Sequence, residues 1–265
     1  VSYTVAERLQ ADQVIMVSGR PVENHVGELY SLVRLALPGL LGEARDFTRT
    51  FRTPIEKRGD AEARQRLRSR VLPFVLRRTK DQVAASLPPK TIVMRTVDMT
   101  PDQRRLYNSI MLTMNKEVWD SVTKHGIARS GIVIMQAITK LQQICCHPAM
   151  LSDAHTGGCR DSAKFDFLMQ QIEELVDEGR RILVFSQYVA FLNLIGEALS
   201  ERSINHLVFT GETRDKDATR ATFQKGDVPV MLVSLKAGGA GVTFTAADTV
   251  LLCSPWWNPG AEDQA

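Results

Sequence analysis

The stretch ILVFSQYVAFLNLIGEALSERSINHLVF, residues 182–209, decides the fold of this chain. It begins with ILVF, an apolar and partly β-branched run that is typical of a buried strand. An amphipathic helical pattern follows, with Leu192, Ile195 and Leu199 on one face, and a second apolar run covers 206–209. A strand, a helix and another strand in this order predict a parallel sheet, because parallel strands need a crossover connection.

The same alternation continues on both sides of this stretch. A helical pattern that begins at Ser162 ends near Gly179, before the first strand. After the second strand come a helical pattern over 213–225 and two apolar runs, at 230–235 and 249–253, joined by a glycine-rich loop. Apolar strands that alternate with amphipathic helices predict an α/β domain whose parallel sheet carries helices on both faces.

Polar residues follow all four predicted strands, in the segments 186–188, 210–213, 234–241 and 254–259. Ligands of parallel sheets bind beyond the carboxyl ends of the strands, so these loops are expected to meet at one edge. Hydroxyls, amides, a lysine and glycines suit an anion, and a phosphate is the expected one. Each loop taken singly is also typical of ordinary turn chemistry, but four on consecutive strands favour a binding edge.

The chain before residue 162 is predicted to be mostly helical, with two short strands. The run VIMV at 14–17 suits a buried parallel strand. The helix after it has one apolar face, with Val26, Leu29 and Val33, and stops at 38–39, a Pro-Gly pair. Residues 91–99 have strand propensity and loose alternation, which predicts a second strand.

Two further helices are predicted between this second strand and residue 148. Thr100 is a good N-cap, Pro101 fits the first helical position, and Gln103 completes a capping box. A second helix near 131–146 ends at 147–148, a His-Pro pair. The core positions expected for the first helix are Leu106, Ile110, Met114 and Val118, and those for the second are Ile134, Ile138, Leu141 and Cys145.

Residues 43–90 are charged and mostly helical in pattern, with breaks expected at Pro54, Pro73 and the pair at 88–89. Between residues 45 and 80 there are 12 Lys/Arg against four Asp/Glu, an excess of eight positive charges. A segment of this density is able to follow a phosphate backbone, but a solvated helical face has the same composition. Charge alone does not decide between these interpretations.

Composition and cysteine content exclude several classes of protein. Hydrophobic residues make up 44% and charged residues 24% of the chain, which excludes disorder and fibrous folds. No apolar run reaches the roughly 18 residues of a membrane span, so no membrane partner is expected. Four cysteines favour a reducing compartment over a disulfide framework. The residues Cys145, Cys146, His147, His155 and Cys159 do not have the spacing of paired zinc ligands, so no metal site is predicted.

Six motifs occur in order over nearly the whole chain. They are SGRPVENHVGELYSL at 18–32, VLPFVLRRTKDQVAASLPPK at 71–90, LQQICCHPAML at 141–151, ILVFSQY at 182–188, VSLKAGGAGVTFTAADTVLL at 233–252 and WNPGAEDQA at 257–265. Together they resemble the carboxyl-terminal part of a Swi/Snf-type superfamily-two helicase-like ATPase, a DNA translocase with two RecA-like lobes. In that family they resemble, in the same order, motif III, the block between the lobes, the helical insertion of lobe two, motif IV, motif V and the approach to motif VI.

The resemblance implies a domain division. Residues 1–42 are expected to be the carboxyl-terminal tail of RecA-like lobe one, and 43–90 a basic helical segment between the lobes. Residues 91–160 are expected to form the strand and helical insertion of lobe two. The α/β core of RecA-like lobe two is expected over 161–265, ending before the arginines of motif VI.

The resemblance also implies roles for single residues. Arg220 is expected to brace motif V or to contact a phosphate, with a surface ion pair as the alternative. Trp257 is expected either to contact the nucleic acid or to pack in the core. Arg77 and Arg78 are expected either to brace the two lobes against each other or to contact DNA. Arg20 stands where the family usually has threonine. The DNA-binding set is Ser186, Gln187, Arg220, Ser234, Lys236, Gly238, Gly239 and Trp257, the nucleotide-cleft set is Gly241, Asp263 and Gln264, and the interlobe set is Ser18, Gly19, Arg20, Arg77 and Arg78.

The parent protein is thus expected to be a DNA-dependent ATPase that uses ATP and Mg²⁺. Its expected partners are double-stranded DNA, lobe one of the same polypeptide and a protein–DNA complex that it remodels. The 265 residues contain neither a G-x-x-x-x-G-K-[ST] loop nor a DEAH-type box. Phosphoryl transfer needs both of these and an arginine finger, so this chain alone is expected to bind no cofactor and to hydrolyse no ATP.

Two other classes of function stay open on the sequence alone. The chain is also compatible with a non-catalytic nucleic-acid-binding module, or with a scaffold whose basic segment docks a protein partner. An RNA helicase is disfavoured by the helical insertion and the WNP segment. The sequences PIEK and LRRTK resemble those of bacterial members of the family more than those of nuclear remodellers. This favours a cytoplasmic, nucleoid-associated protein, whereas a eukaryotic protein of the family would be nuclear.

Overall fold

Two regions of the chain fold as separate units, Val1–Ile92 and Val93–Ala265. The computed structural model describes residues 6, 11–18, 21–22, 25–78, 90–151, 156–238 and 242–254. None of the helices in these ranges is both long and apolar enough to span a lipid bilayer.

The first unit is built from short helices around an aromatic core. Its helices are α1 (Val26–Ala36), α2 (Ala44–Phe47), α3 (Thr53–Arg58) and α4 (Ala61–Val71), with a π-helical turn at Thr48–Arg52 and a 3₁₀ turn at Leu72–Phe74. The buried side chains that form the core are Tyr30, Val33, Leu41, Phe47, Phe51, Leu67 and Val71. The helical prediction for 43–90 is therefore confirmed over 44–74, whereas residues 79–89 lie outside the described residues.

The break predicted at Pro54 is wrong. The helical run continues from α2 through the π-helical turn into α3, where Pro54 is the second residue. Proline lacks an amide hydrogen and is tolerated in the first turn of a helix, and the wider turn before it accommodates the missing bond. The break falls instead at Gly59, whose left-handed conformation (φ 64°) ends α3, and Asp60 then caps α4 through its side chain.

The strands predicted at 14–17 and 91–99 are not formed in the structure. Ile15 and Val17 are 84% and 93% exposed, and Met94 is 91% exposed. A strand needs a neighbour for its backbone hydrogen bonds, and none of the described residues pairs with either segment. An apolar, β-branched composition alone is therefore not enough to form a strand.

The second unit begins with a long helical hairpin, formed by α5 (Pro101–His125) and α6 (Ile127–Cys146). Thr100 caps α5 by accepting a hydrogen bond from the Gln103 amide at 3.1 Å, as predicted. The Gln103 side chain does not complete a capping box, however. It is buried, donating to the Ile144 carbonyl at 2.7 Å and accepting from the Ala163 amide, and so fixes the end of α6.

The sheet contains four parallel strands in the order β2-β3-β1-β4. The strands are β1 (Ile182–Ser186), β2 (His206–Phe209), β3 (Val230–Ser234) and β4 (Thr249–Leu252), and the helices around them are α7 (Ala163–Asp177), α8 (Val189–Glu201), α9 (Lys216–Lys225) and the single turn α10 (Leu235–Gly238). All four strands are where the sequence predicts them, to within a residue or two at the ends.

Each face of the sheet packs against helices. Along β1, Ile182 and Val184 face the cluster formed with α7 and α8, whereas Leu183 and Phe185 face the cluster that contains Phe223 of α9. Side chains alternate between the faces of a strand, so apolar residues at consecutive positions require cover on both sides. The predicted α/β sheet with helices on both faces is therefore confirmed.

Candidate nucleic-acid interface

The loops after the four strands meet at one edge of the sheet, because every strand pair is parallel. Ser186 and Ser234 are direct register partners at the ends of β1 and β3. Phe209 is paired with Val233, which places Thr210 beside Ser234, and the Cys253 amide donates to the Phe185 carbonyl at 3.0 Å. We call this edge the rim: residues 186–188, 210–213, 234–238 and 253–254.

Four hydroxyl residues of the rim are buried beneath its surface: Ser186, Thr210, Ser234 and Ser254. Ser186 is fully buried, and its oxygen accepts the Tyr188 amide at 3.1 Å. Thr210 Oγ1 accepts the Glu212 amide at 3.3 Å, and Ser234 is 5% exposed. The Ser186 and Thr210 oxygens hold the backbone of their loops, and Ser234 is too buried to reach a large ligand. Direct contact with a large polyanion therefore falls to other rim groups.

The accessible donors of the rim are Gln187 and Lys236. Gln187 is half-buried, and Lys236 is exposed on α10, directly after the end of β3. Arg220 lies further away in α9, where its guanidinium donates to Asp217 at 3.2 Å. Asp217 is 91% exposed, so this pair is screened and leaves Arg220 available to another anion.

Gly238 has a packing role at the rim. A Cβ atom built on it would lie 2.6 Å from Phe185 Cε1 and 3.1 Å from Val233 Cγ1. Phe185 is buried in the sheet, so it has little room to move away. The absence of a side chain at Gly238 therefore lets α10 lie against the sheet, which sets the position of Lys236.

Gln142 of α6 fixes the first rim loop, a role that the sequence did not predict. Tyr188 donates its hydroxyl to Gln142 Oε1 at 2.9 Å, and the Gln187 amide approaches the same oxygen at 3.5 Å. Burial raises the pKa of Tyr188 to about 12, with smaller effects from Cys146 and Cys145, so the phenol stays a donor at neutral pH. The one sequence signal was a polar residue between the predicted core positions Leu141 and Cys145.

The end of α6 and the start of α7 are also joined to the rim after β4. Cys146 Sγ lies 3.2 Å from Ser254 Oγ, and Lys164 Nζ donates to the Cys253 carbonyl at 3.2 Å. Ser162 caps α7 and also donates to the Cys146 carbonyl at 2.7 Å. The helical hairpin therefore supports two of the four rim loops.

The cysteines and histidine near residue 146 serve packing in the structure. His147 Nδ1 accepts the Ala149 amide at 3.0 Å, its ring packs edge-on against Phe165, and burial lowers its pKa. Burial raises the pKa of Cys253 to about 12, so its thiol stays protonated. Among the described residues, which do not include His155, no group of three or more His, Cys, Asp or Glu side chains is placed to hold a metal ion.

The remaining predicted site residues lie in the first unit or outside the described residues. Arg77 and Arg78 are exposed after the 3₁₀ turn that ends the helices of the first unit, and Ser18 is exposed in the extended segment 11–18. The predicted residues outside the described part of the chain are Gly19, Arg20, Gly239, Gly241, Trp257, Asp263 and Gln264.

A parallel sheet with helices on both faces and a polar rim at its carboxyl edge defines a RecA-like α/β domain. Two family models match the chain: the SNF2-related domain over residues 1–150 and the helicase conserved C-terminal domain over residues 163–265. The first covers more than half of the chain. The chain therefore belongs to the SNF2-related family of helicase-like proteins, and the predicted resemblance is confirmed.

Relatives and solved structures agree with this assignment. The chain is 30% identical over 98% of its length to an uncharacterised ATP-dependent helicase of Mycoplasma genitalium, and 31% identical over 95% to a putative ATP-dependent helicase/translocase of Bacillus subtilis. It covers 24% and 28% of those proteins, about a quarter of their length. The Sulfolobus solfataricus SWI2/SNF2 ATPase core in complex with dsDNA is 34% identical, with a TM-score of 0.56 over 97% of this chain and 55% of that one.

Proposed function

We propose that this chain supplies the second motor lobe of an ATP-dependent double-stranded DNA translocase, and that the rim binds the DNA phosphates. The observation that carries the proposal is the rim itself. Loops from parallel strands meet there, and exposed Lys236 and half-buried Gln187 are held on a rigid base. The family supports the same function, since the similar archaeal ATPase core was solved with double-stranded DNA.

The proposed mode of binding is independent of DNA sequence. Lys236 contributes a positive charge, and Gln187 and the backbone amides of the rim donate hydrogen bonds to phosphate oxygens. Contacts of this kind position a duplex and carry no sequence information. Ser186 and Gly238 act from beneath by shaping the loops, and buried Ser234 is proposed to support the turn after β3. Arg220 of α9, further from the rim, is proposed to supply a second charge for the phosphates. Gly239 and Trp257 are proposed DNA contacts on the resemblance alone.

ATP and Mg²⁺ are proposed to act in the whole protein. The nucleotide-cleft residues Gly241, Asp263 and Gln264 lie outside the described residues. No step of hydrolysis is therefore assigned to the described part of the chain. In the whole protein, Arg77 and Arg78 are proposed to brace the two lobes, and the work is proposed to take place on chromosomal DNA, in the bacterial nucleoid or the eukaryotic nucleus.

The proposed function predicts that reversing the charge of Lys236 weakens duplex binding. Lys236→Glu should reduce affinity roughly tenfold at low salt, equally for unrelated sequences, because a phosphate contact becomes a repulsion. The measurement is fluorescence anisotropy of labelled duplexes of different sequence, titrated with the 265-residue chain.

Lys225→Glu is the matched control. Lys225 is equally exposed, but it ends α9 and so precedes the loop that enters β3 at the opposite edge of the sheet. The control should bind within about twofold of the original chain, since Lys225 lies at the opposite edge of the sheet and loses no phosphate contact. Equal losses in both variants, or none in Lys236→Glu, would refute the assignment of the rim.

A further inference from the structure

The first unit carries a basic groove to which the proposed function gives no role. It is an open groove of about 640 Å³ on the helical run that begins with α2. Its lining is Ala44, Arg45, Thr48, Arg49, Thr53, Pro54 and Arg58, all described residues of α2, the π-helical turn and α3. We call these seven residues the arginine groove.

The fold forces these arginines outward. Phe47 and Phe51 of the same helical run are 2% and 4% exposed and form part of the aromatic core. Arg45 and Arg49 are one helical turn apart on the opposite, exposed side. The π-helical turn at Thr48–Arg52 contains Arg49 and widens the helical run directly before α3. Turns of this kind are frequent at functional sites.

The charge of the arginine groove is largely unneutralised. Arg49 donates to Asp46 at 2.9 Å, but the two side chains are 81% and 61% exposed, so the pair contributes little and is easily exchanged. Arg45 and Arg58 make no ion pair with any described residue. None of the seven lining residues is acidic, and Glu56 of α3 bonds to Arg52 and the Val26 amide.

We infer that the arginine groove binds the sugar–phosphate backbone of duplex nucleic acid, as a contact separate from the rim. Guanidinium groups bind phosphate oxygens through two parallel hydrogen bonds, and Thr53 adds a hydroxyl beside them. The groove lies in a segment with eight excess positive charges, which suits a continuous polyanion better than one carboxylate of a peptide. This inference rests on the proposed function, since it adds a second contact to the same ligand.

The test compares two double variants of the 265-residue chain that have the same net charge. Arg45→Glu/Arg58→Glu changes the groove, and Arg64→Glu/Arg68→Glu changes two exposed arginines of α4 outside it. Duplex affinity is measured by fluorescence anisotropy at several salt concentrations. The groove variant should lose roughly tenfold or more, and its plot of log K against log salt should flatten by about 2, since each phosphate contact contributes about 0.9. The α4 variant should keep the original slope and most of the affinity.

Three other outcomes overturn the inference. Equal losses in both double variants would indicate a diffuse basic surface, and no loss in the groove variant would exclude the contact. A groove variant that keeps duplex binding but no longer binds a labelled poly-glutamate peptide would indicate a site for acidic protein. Circular dichroism checks that each variant is folded. If Lys236→Glu weakens binding and the groove variant does not, only the inference fails; if the original chain binds no duplex, the proposed function fails.

Discussion

Two short segments with nearly the same composition adopt different structures in this molecule. VIMV at 14–17 and VMLV at 230–233 are both apolar, β-branched runs of four residues. The second is a fully buried strand between β1 and β2, whereas the first forms no strand, and Ile15 is 84% exposed. Propensity is equal in the two runs, so the difference lies in what surrounds them. Within the described part of the chain, only the second has partner strands and helices on both faces.

The largest test of this comparison removes one apolar side chain from each run. Leu232→Ala should lower the free energy of unfolding by roughly 2–5 kcal/mol, because Leu232 is fully buried in the sheet. Ile15→Ala should change it by less than about 0.5 kcal/mol, since an exposed side chain gains little from folding. Urea denaturation followed by circular dichroism measures both. A large loss in Ile15→Ala would show that 14–17 is buried in the folded chain.

A smaller loss of stability is expected when a side chain is added at Gly238, where α10 packs against the sheet. Gly238→Ala should destabilise the second unit by roughly 1–3 kcal/mol, because the added Cβ would lie 2.6 Å from Phe185. Gly211→Ala is the control: it is also at the rim, but nothing lies within 4 Å of the added atom. Chemical denaturation of the two variants decides the point, and equal stability would argue against tight packing of α10 on the sheet.

The smallest loss of stability is expected when Gln142, the α6 residue that holds the first rim loop, is replaced. Gln142→Ala should cost about 1 kcal/mol, since the Tyr188 hydroxyl loses its acceptor, and Gln136→Ala on the exposed side of α6 should cost nothing measurable. Ultraviolet titration adds a second readout, because water admitted beside Tyr188 should bring its pKa down from about 12. An unchanged titration curve would mean that Gln142 does not hold this loop.

The alkaline limit of stability follows from the same tyrosine. Its pKa is raised in the folded state from an ordinary value of 10.0 to about 12. The stability contributed by the neutral phenol is therefore complete below pH 10 and is lost as the pH rises towards 12. Replacement of Tyr188 by Phe removes the titrating group, so it should reduce this alkaline loss.

Periodicity in the sequence predicted the sheet and its helices because their signals are local. Each strand of the sheet is a continuous apolar run, and several helices have a local cap or stop, such as Ser162 before α7 and Gly226 after α9. The loops after the strands were equally predictable, since parallel strands place them at one edge. The position of the rim could therefore be predicted from the sequence.

The contacts that hold the rim were not available from the sequence, because they join residues far apart in the chain. Gln142 and Tyr188 are 46 positions apart, and Cys146 and Ser254 are 108 apart. Gln103 has the pattern of a capping box, yet its side chain bonds across 41 positions to Ile144. Likewise, the burial of Ser186 follows from its register with Ser234, which no local pattern reveals.

The central claim is that duplex DNA lies against the carboxyl edge of the sheet. Hydrogen–deuterium exchange of the 265-residue chain, with and without a saturating duplex, tests it most directly. The account predicts slower exchange at 187–188 and 235–238 when DNA is present, and no change at 202–205 and 226–229, the loops of the opposite edge. Protection of the opposite edge, or binding that leaves both edges unchanged, would contradict the claim.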